Sequence, residues 1–159
     1  MNMNFNFNNP TNLIFGAGKL NELGNQKLPG KKALLLISNG KSVKTYGTLD
    51  RVQDQLKKAG AEYVVCGNIH ENPSKEVVME AAAIAKENNC DFIVALGGGA
   101  VLYSAVAVSA MATNPGDLWD LVVSIQRKDQ LSANLRYRSN LCDKPCQFER
   151  TQLWDYLMR

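Results

Sequence analysis

The chain has 159 residues, enough for one ordinary domain, and its 45% hydrophobic content is enough to bury a core, which argues against a disordered chain. No run of roughly twenty apolar residues occurs, and Met1 to Pro10 alternates Asn with Phe without the basic and apolar regions of a secretory signal; a soluble, cytoplasmic protein is expected. The net charge of +3 is carried by the end of the chain: Met1 to Val122 holds eleven basic and eleven acidic residues, Val123 to Arg159 seven and four. The arginines of that last stretch are dispersed, so it reads as a solvated surface, and no nucleic-acid or membrane partner is expected.

In chain order, Thr11 to Phe15 is a short apolar strand candidate, turned by Gly16 and Gly18 into a short helix over Lys19 to Asn25 with Leu20 and Leu23 on one side. Ala33 to Ile37 is a continuous aliphatic run, the pattern of a strand covered on both faces in a parallel sheet. Leu49 to Ala59 sets Leu49, Val52 and Leu56 at helical spacing, with Gly60 as a natural stop. Glu62 to Cys66 is the next strand. After the turn residues Asn68 to Ser74, Lys75 to Asn89 carries an apolar stripe from Val77 to Ala85, and Ser74 stands where a hydroxyl caps a helix. Asp91 to Leu96 is a second buried strand, Gly97 to Gly99 a turn, and Val101 to Ala112 a helix of small residues. Strands alternating with helices predict an α/β fold, an open, doubly wound and mainly parallel sheet. Beyond it only Gln152 to Arg159 hints at a helix.

Two turns carry candidate chemistry. Gly97, Gly98 and Gly99 close a buried strand and open a helix, where backbone N–H groups approach a phosphate without a Cβ in the way and the helix dipole favours an anion. Ser38-Asn39-Gly40-Lys41-Ser42 follows the other central strand and offers backbone donors, a hydroxyl and a cation. In a parallel sheet both turns lie outside the carboxyl ends of the strands, where such folds bind ligands. The glycines lack the spacing of the usual dinucleotide fingerprint, and tight turns also use glycine for sterics alone, so a phosphate cradle and a pair of solvated loops both remain open. Cys66 and Cys90 sit beside apolar runs as reduced, buried thiols, while Cys142 and Cys146 find no further ligands to complete a zinc site.

The order of several motifs weighs toward the first reading. Asn9 through Gly18, Asn39-Gly40-Lys41-Ser42-Val43-Lys44, Glu71-Asn72-Pro73, Phe92 through Gly99 and the aromatic Trp119 resemble, in order and spacing, the iron-containing (group III) alcohol dehydrogenases, especially the butanol dehydrogenase type. The resemblance spans Phe7 to Leu121. It implies a Rossmann-like, dehydroquinate synthase-like cofactor domain over residues 1–122, with Gly40 and Ser42 near the adenosine ribose, Asn72 near the cofactor, and Gly97, Gly98 and Gly99 on the diphosphate. It implies NADP or NAD as cofactor, and the lack of an acid in Ser38 to Ser42 tilts the choice toward NADP.

The departures are concentrated. Where the family continues its glycines with Ser, two apolar residues, Asp, two small residues and Lys, this chain reads Ala100, Val101, Leu102, Tyr103, Ser104, Ala105 and Val106. After Leu121 the family's Gly-Thr-Gly loop and its metal-binding helical domain, with one Asp and three His for Fe or Zn, are not matched, and the one histidine, His70, reads as a surface residue. Three expectations follow: a family member truncated before its metal half and inactive alone, a poorly ordered tail over 123–159, and a lost reading frame as its origin. A non-catalytic nucleotide-binding module is the alternative.

Overall fold

The computed structural model describes residues 12–120, with two strands at 136–140 and 154–156. A 3-10 helix, Lys19–Asn25, precedes β1 (Lys32–Ser38); α1 (Ser42–Thr45), α2 (Thr48–Lys58), β2 (Glu62–Ile69), α3 (Lys75–Glu87), β3 (Phe92–Leu96) and α4 (Gly99–Thr113) follow, then β4 (Arg136–Asn140) and β5 (Trp154–Tyr156). The strand order is β2-β1-β3-β4-β5. β1 is parallel to β2 and β3, β3 is parallel to β4, and only β5 runs antiparallel.

The two apolar runs are the inner strands, as expected. Ala33 to Ile37 and Phe92 to Leu96 are buried residue by residue, because helices cover both faces and leave no side for water. Leu35, Ile37, Phe92, Val94 and Leu96 face the 3-10 helix, α1 and α2 through Leu20, Leu23, Val43, Val52 and Leu56. Leu34, Leu36, Ile93 and Ala95 face α3 and α4 through Val78, Ala81, Ala85, Val101, Ala105 and Val108. The alternation of one strand's side chains between the two clusters is the period-2 geometry of a strand. Each fully buried Leu or Ile here contributes about 1.5–3 kcal/mol, so the double-sided core is what holds the edge of the sheet rigid.

At the opposite edge, the Asp91 carboxylate accepts from the backbone N–H groups of Lys31 (2.7 Å) and Lys32 (3.0 Å), and the Asp91 N–H donates to the Lys32 carbonyl at 2.8 Å. These bonds set the β1–β3 register. Gly30 packs against that carboxylate so closely that a Cβ would lie 2.3 Å from the Asp91 Cβ. α4 has no charged residue, and its buried Ser104 and Ser109 donate back to the Ala100 (2.8 Å) and Val106 (2.7 Å) carbonyls, which satisfies the hydroxyls inside an apolar helix.

Several details differ from expectation. Asn12 to Phe15 forms no strand, and Leu13 and Phe15 are 56% and 52% exposed; an apolar run becomes a strand only when its backbone finds a ladder partner. Ser74 stands at the N-terminal boundary of α3 but makes no capping bond; its hydroxyl donates to the Glu76 carboxylate, which it holds below the ordinary carboxylate range. β2 runs on to Ile69, past Cys66, because β1 offers it a partner as far as Ser38. Strands stand at Arg136–Asn140 and at Trp154–Tyr156, the latter inside the segment with the helical hint. Thr11, Cys142, Cys146 and the rest of 123–159 lie outside the described residues.

Candidate functional site

Three turns leave the same edge of the sheet. β1 and β3 pair in parallel up to Ile37↔Leu96, so Ser38 and Gly97 are the next residues on neighbouring strands, which in a sheet run about 4.8 Å apart. β1 and β2 pair up to Ser38↔Ile69, which puts His70, Glu71 and Asn72 at the third strand end. The turn bearing Gly40 and Ser42, the turn bearing Asn72 and the Gly97 to Gly99 turn are therefore all at carboxyl strand ends. β1 is also where the winding reverses: the chain passes from β1 to β2 on one side through α2, then returns across to β3 on the other through α3. Such a switch point is where open α/β sheets leave room for a ligand.

The local conformations are those a turn of this kind demands. Gly97 is buried with φ +156°, and a Cβ there would meet Val101 Cγ2 at 2.6 Å. Both backbone and space require glycine. Gly98 is extended and N-caps α4, while Gly99, exposed, begins the helix. The N–H groups of Gly98, Gly99 and Ala100 meet no acceptor among the described residues, as the first turn of a helix dictates. The helix is 15 residues long with no charge of its own in its first turn, so its dipole faces this edge uncompensated from within. Tyr103, four residues on and 78% exposed, leans back over Gly99: its ring lies 3.5 Å from where a Gly99 Cβ would be. A long helical side chain points toward the N-terminus in this way.

Gly40 is partly buried in its turn, and Ser42 begins the four-residue α1. Asn72 is exposed and left-handed, φ +54°, immediately before Pro73. Asn tolerates that region better than other residues with a Cβ. The sequence reading overlooked a link between two of the turns: the Asn39 N–H donates to the Ile69 carbonyl at 3.0 Å, and the Asn39 amide is hydrogen-bonded to Nδ1 of His70. His70 is exposed, as expected of it, but it is not unattached. No sequence period marks such a pair, because its members are 31 residues apart.

The two described cysteines are free and buried, and burial pushes both thiols up from their ordinary range. Among the described residues no three His, Cys, Asp or Glu side chains come together to hold a metal, and no helix is long and apolar enough to cross a membrane.

Residues 10–137 match the family model described as iron-containing alcohol dehydrogenase. The match runs past Leu121, where the motifs legible by eye end. The chain is 42% identical over 129 residues to the probable NADH-dependent butanol dehydrogenase 1 of Bacillus subtilis, covering 80% of this chain and 33% of that protein. It is 36% identical over 115 residues to the NADPH-dependent aldehyde reductase YqhD of Escherichia coli, covering 72% and 29%. Among solved structures, the NADH-dependent butanol dehydrogenase A of Thermotoga maritima superposes with a TM-score of 0.77 at 36% identity, over 86% of this chain and 34% of that one. The chain thus spans about a third of the length of the curated relatives it matches.

Proposed function

Because the chain belongs to the iron-containing alcohol dehydrogenase family, we propose that it binds NAD(P) across the carboxyl edge of its sheet, as the cofactor-binding part of an alcohol or aldehyde oxidoreductase. The observation that carries this reading is the convergence of three turns at adjacent strand ends, one of them presenting N–H donors at the start of a 15-residue helix. That donor set suits a diphosphate: it is anionic, needs several N–H groups at once, and gains from the positive helix end. In this reading Gly97, Gly98 and Gly99 hold the diphosphate, Gly40 and Ser42 lie by the adenosine ribose, and Asn72 lies beside the cofactor. With no carboxylate between Ser38 and Ser42 to bind a ribose 2′-hydroxyl, NADP is the preferred form. Buried, reduced thiols at Cys66 and Cys90 favour a cytoplasmic setting.

A bound nicotinamide would give or take the hydride, and a metal of the family's kind would polarise the alcohol oxygen. The chain's own groups suit the first and not the second. Its one histidine is hydrogen-bonded to Asn39, and a site of three His and one Asp needs more than it has. We therefore assign no catalytic step to this chain alone: it binds and orients a dinucleotide, and turnover of an alcohol requires ligands from elsewhere. The alternative, a non-catalytic nucleotide-binding module, draws support from Tyr103, exposed over the glycine turn where the family carries a carboxylate.

Titration with NADH and NADPH, followed by nicotinamide fluorescence, tests the reading. Dissociation constants in the micromolar range are expected, equivalent to about 8 kcal/mol of binding. No binding of either dinucleotide at millimolar concentration would overturn it.

A further inference from the structure

We propose that Tyr103 narrows the site to a nucleoside diphosphate: its ring closes the path beyond the diphosphate, so that a dinucleotide is held by its adenosine diphosphate half alone and its nicotinamide half stays in water. This rests on the dinucleotide-binding reading above and favours its non-catalytic form.

Position comes first. In that reading the adenosine lies at the end of β1 and the diphosphate at the end of β3, and these two strands are neighbours. The line of the ligand therefore runs from β1 to β3, and whatever follows the diphosphate lies beyond β3, by the first two turns of α4. Tyr103 stands on that line. Its Cε2 and Cδ2 atoms lie 3.5 and 4.0 Å from where a Gly99 Cβ would be, so the ring rests against the exposed start of the helix, beside the free N–H groups of Gly99 and Ala100. With 78% of its surface exposed, it gains little from burial, and packing does not account for its place.

Chemistry decides which ligand fits. Apart from Gly99, the residues that reach the surface in the first half of α4 are Ala100, Leu102, Tyr103, Val106 and Ala107. The Ser104 hydroxyl is buried and already donates to the Ala100 carbonyl at 2.8 Å, and the helix carries no charge. The Tyr103 phenol is thus the one side-chain polar group that this surface offers. A ribose and a carboxamide laid across it would give up water for apolar contacts, at a cost for every donor and acceptor left unpaired. A terminal phosphate makes the opposite exchange. It brings more negative charge and more acceptor oxygens to the N–H groups and the positive helix end than a bridging diphosphate does, and it needs no room beyond them. Stacking of a nicotinamide on Tyr103 would need the ring beside the ligand's track, whereas its contact with Gly99 sets it on the track.

The experiment is calorimetric titration of the full chain with each dinucleotide and its own diphosphate half: NADH with ADP, and NADPH with 2′-phospho-ADP. AMP and nicotinamide mononucleotide serve as the fragments that lack the diphosphate, and the proteins are the wild type, Tyr103→Ala and Tyr103→Phe. In the wild type each diphosphate should bind at least as tightly as its dinucleotide, AMP about tenfold more weakly than ADP, and nicotinamide mononucleotide should displace neither. Saturation transfer from protein to bound dinucleotide should mark the adenine protons and leave the nicotinamide protons near baseline. Tyr103→Ala should leave ADP within about twofold, strengthen the dinucleotides at least about threefold and bring the nicotinamide protons into contact, while Tyr103→Phe behaves as the wild type, because the bulk of the ring is what obstructs. Circular dichroism establishes that these exposed-site variants are folded. If a dinucleotide binds about tenfold or more tighter than its diphosphate half, if its nicotinamide protons saturate as strongly as the adenine ones, or if Tyr103→Ala changes neither, the proposal is wrong while dinucleotide binding stands. If neither diphosphates nor dinucleotides bind, both readings fall.

Discussion

Replacing Gly97 by alanine tests the conformation of the glycine turn directly. The added Cβ would lie 2.6 Å from Val101 Cγ2 and 3.2 Å from Val101 Cβ, and the backbone would keep a φ of +156° that side chains rarely adopt. Val101 is itself buried against the sheet, with 1% of its surface exposed, so it has nowhere to withdraw. Overpacking of this kind costs about 1–3 kcal/mol, and the strained backbone about 1–3 kcal/mol more. The sum, about 2–6 kcal/mol, is a large share of the roughly 5–15 kcal/mol that stabilises a domain. Urea unfolding followed by circular dichroism should show the midpoint falling by roughly 1–3 M, given an m-value of about 2 kcal/mol/M. A double-mutant cycle with Val101→Ala separates the two causes: removing the Cγ atoms should recover at least about 1 kcal/mol of the Gly97→Ala cost. A Gly97→Ala protein within about 0.5 kcal/mol of the wild type would refute the reasoning. A cost unchanged in the Val101→Ala background would leave only the backbone term.

Other outcomes follow from the same structure. Asp91→Ala removes the acceptor of two backbone N–H groups at 2.7 and 3.0 Å, and should lower stability by about 1–2 kcal/mol in urea; a neutral effect would mean that these bonds do not hold the strand register. Gly30→Ala should be destabilising in the wild type and stay so in the Asp91→Ala background, because the 2.3 Å clash is with the Asp91 Cβ that alanine keeps, whereas Asp91→Gly should relieve it. Burial raises the thiols of Cys66 and Cys90, so peptide-resolved iodoacetamide labelling at pH 8 should be much slower at both in the folded chain than in urea; equal rates would sink this. Since their folded pKa values lie above the unfolded ones, the stability they contribute is present at neutral pH and lost as pH rises through those values. Asp117 behaves oppositely: the ion pair with Lys75 and then the Trp119 N–H hold its carboxyl below the ordinary range, so its contribution is lost as pH falls through the depressed value. Lys75→Ala should shrink that acid-side loss, read from urea midpoints between pH 3 and 6.

The parts of this fold legible in the sequence are those where local chemistry and tertiary environment agree. Ala33 to Ile37 and Phe92 to Leu96 are apolar at every position, the pattern of a strand buried on both faces, and they are the two inner parallel strands. The α3 stripe and the Gly97 to Gly99 turn were equally plain, because period 3.6 and a triple glycine have few other uses. That Gly97 is obligatory on two grounds, however, depends on Val101 arriving from the helix that follows. Whether Asn12 to Phe15 forms a strand is settled by the presence of a partner, which its own residues do not encode. The hydroxyl of Ser74 stands where a cap is expected, but only the structure shows that it makes no capping bond and meets Glu76. The Asn39–His70 bond is the clearest case: residues 31 apart in the chain meet because β1 and β2 end at the same height in a parallel ladder. Composition and periodicity determine what a segment buries, while pairing register alone determines which exposed side chains from distant segments stand close enough to act together.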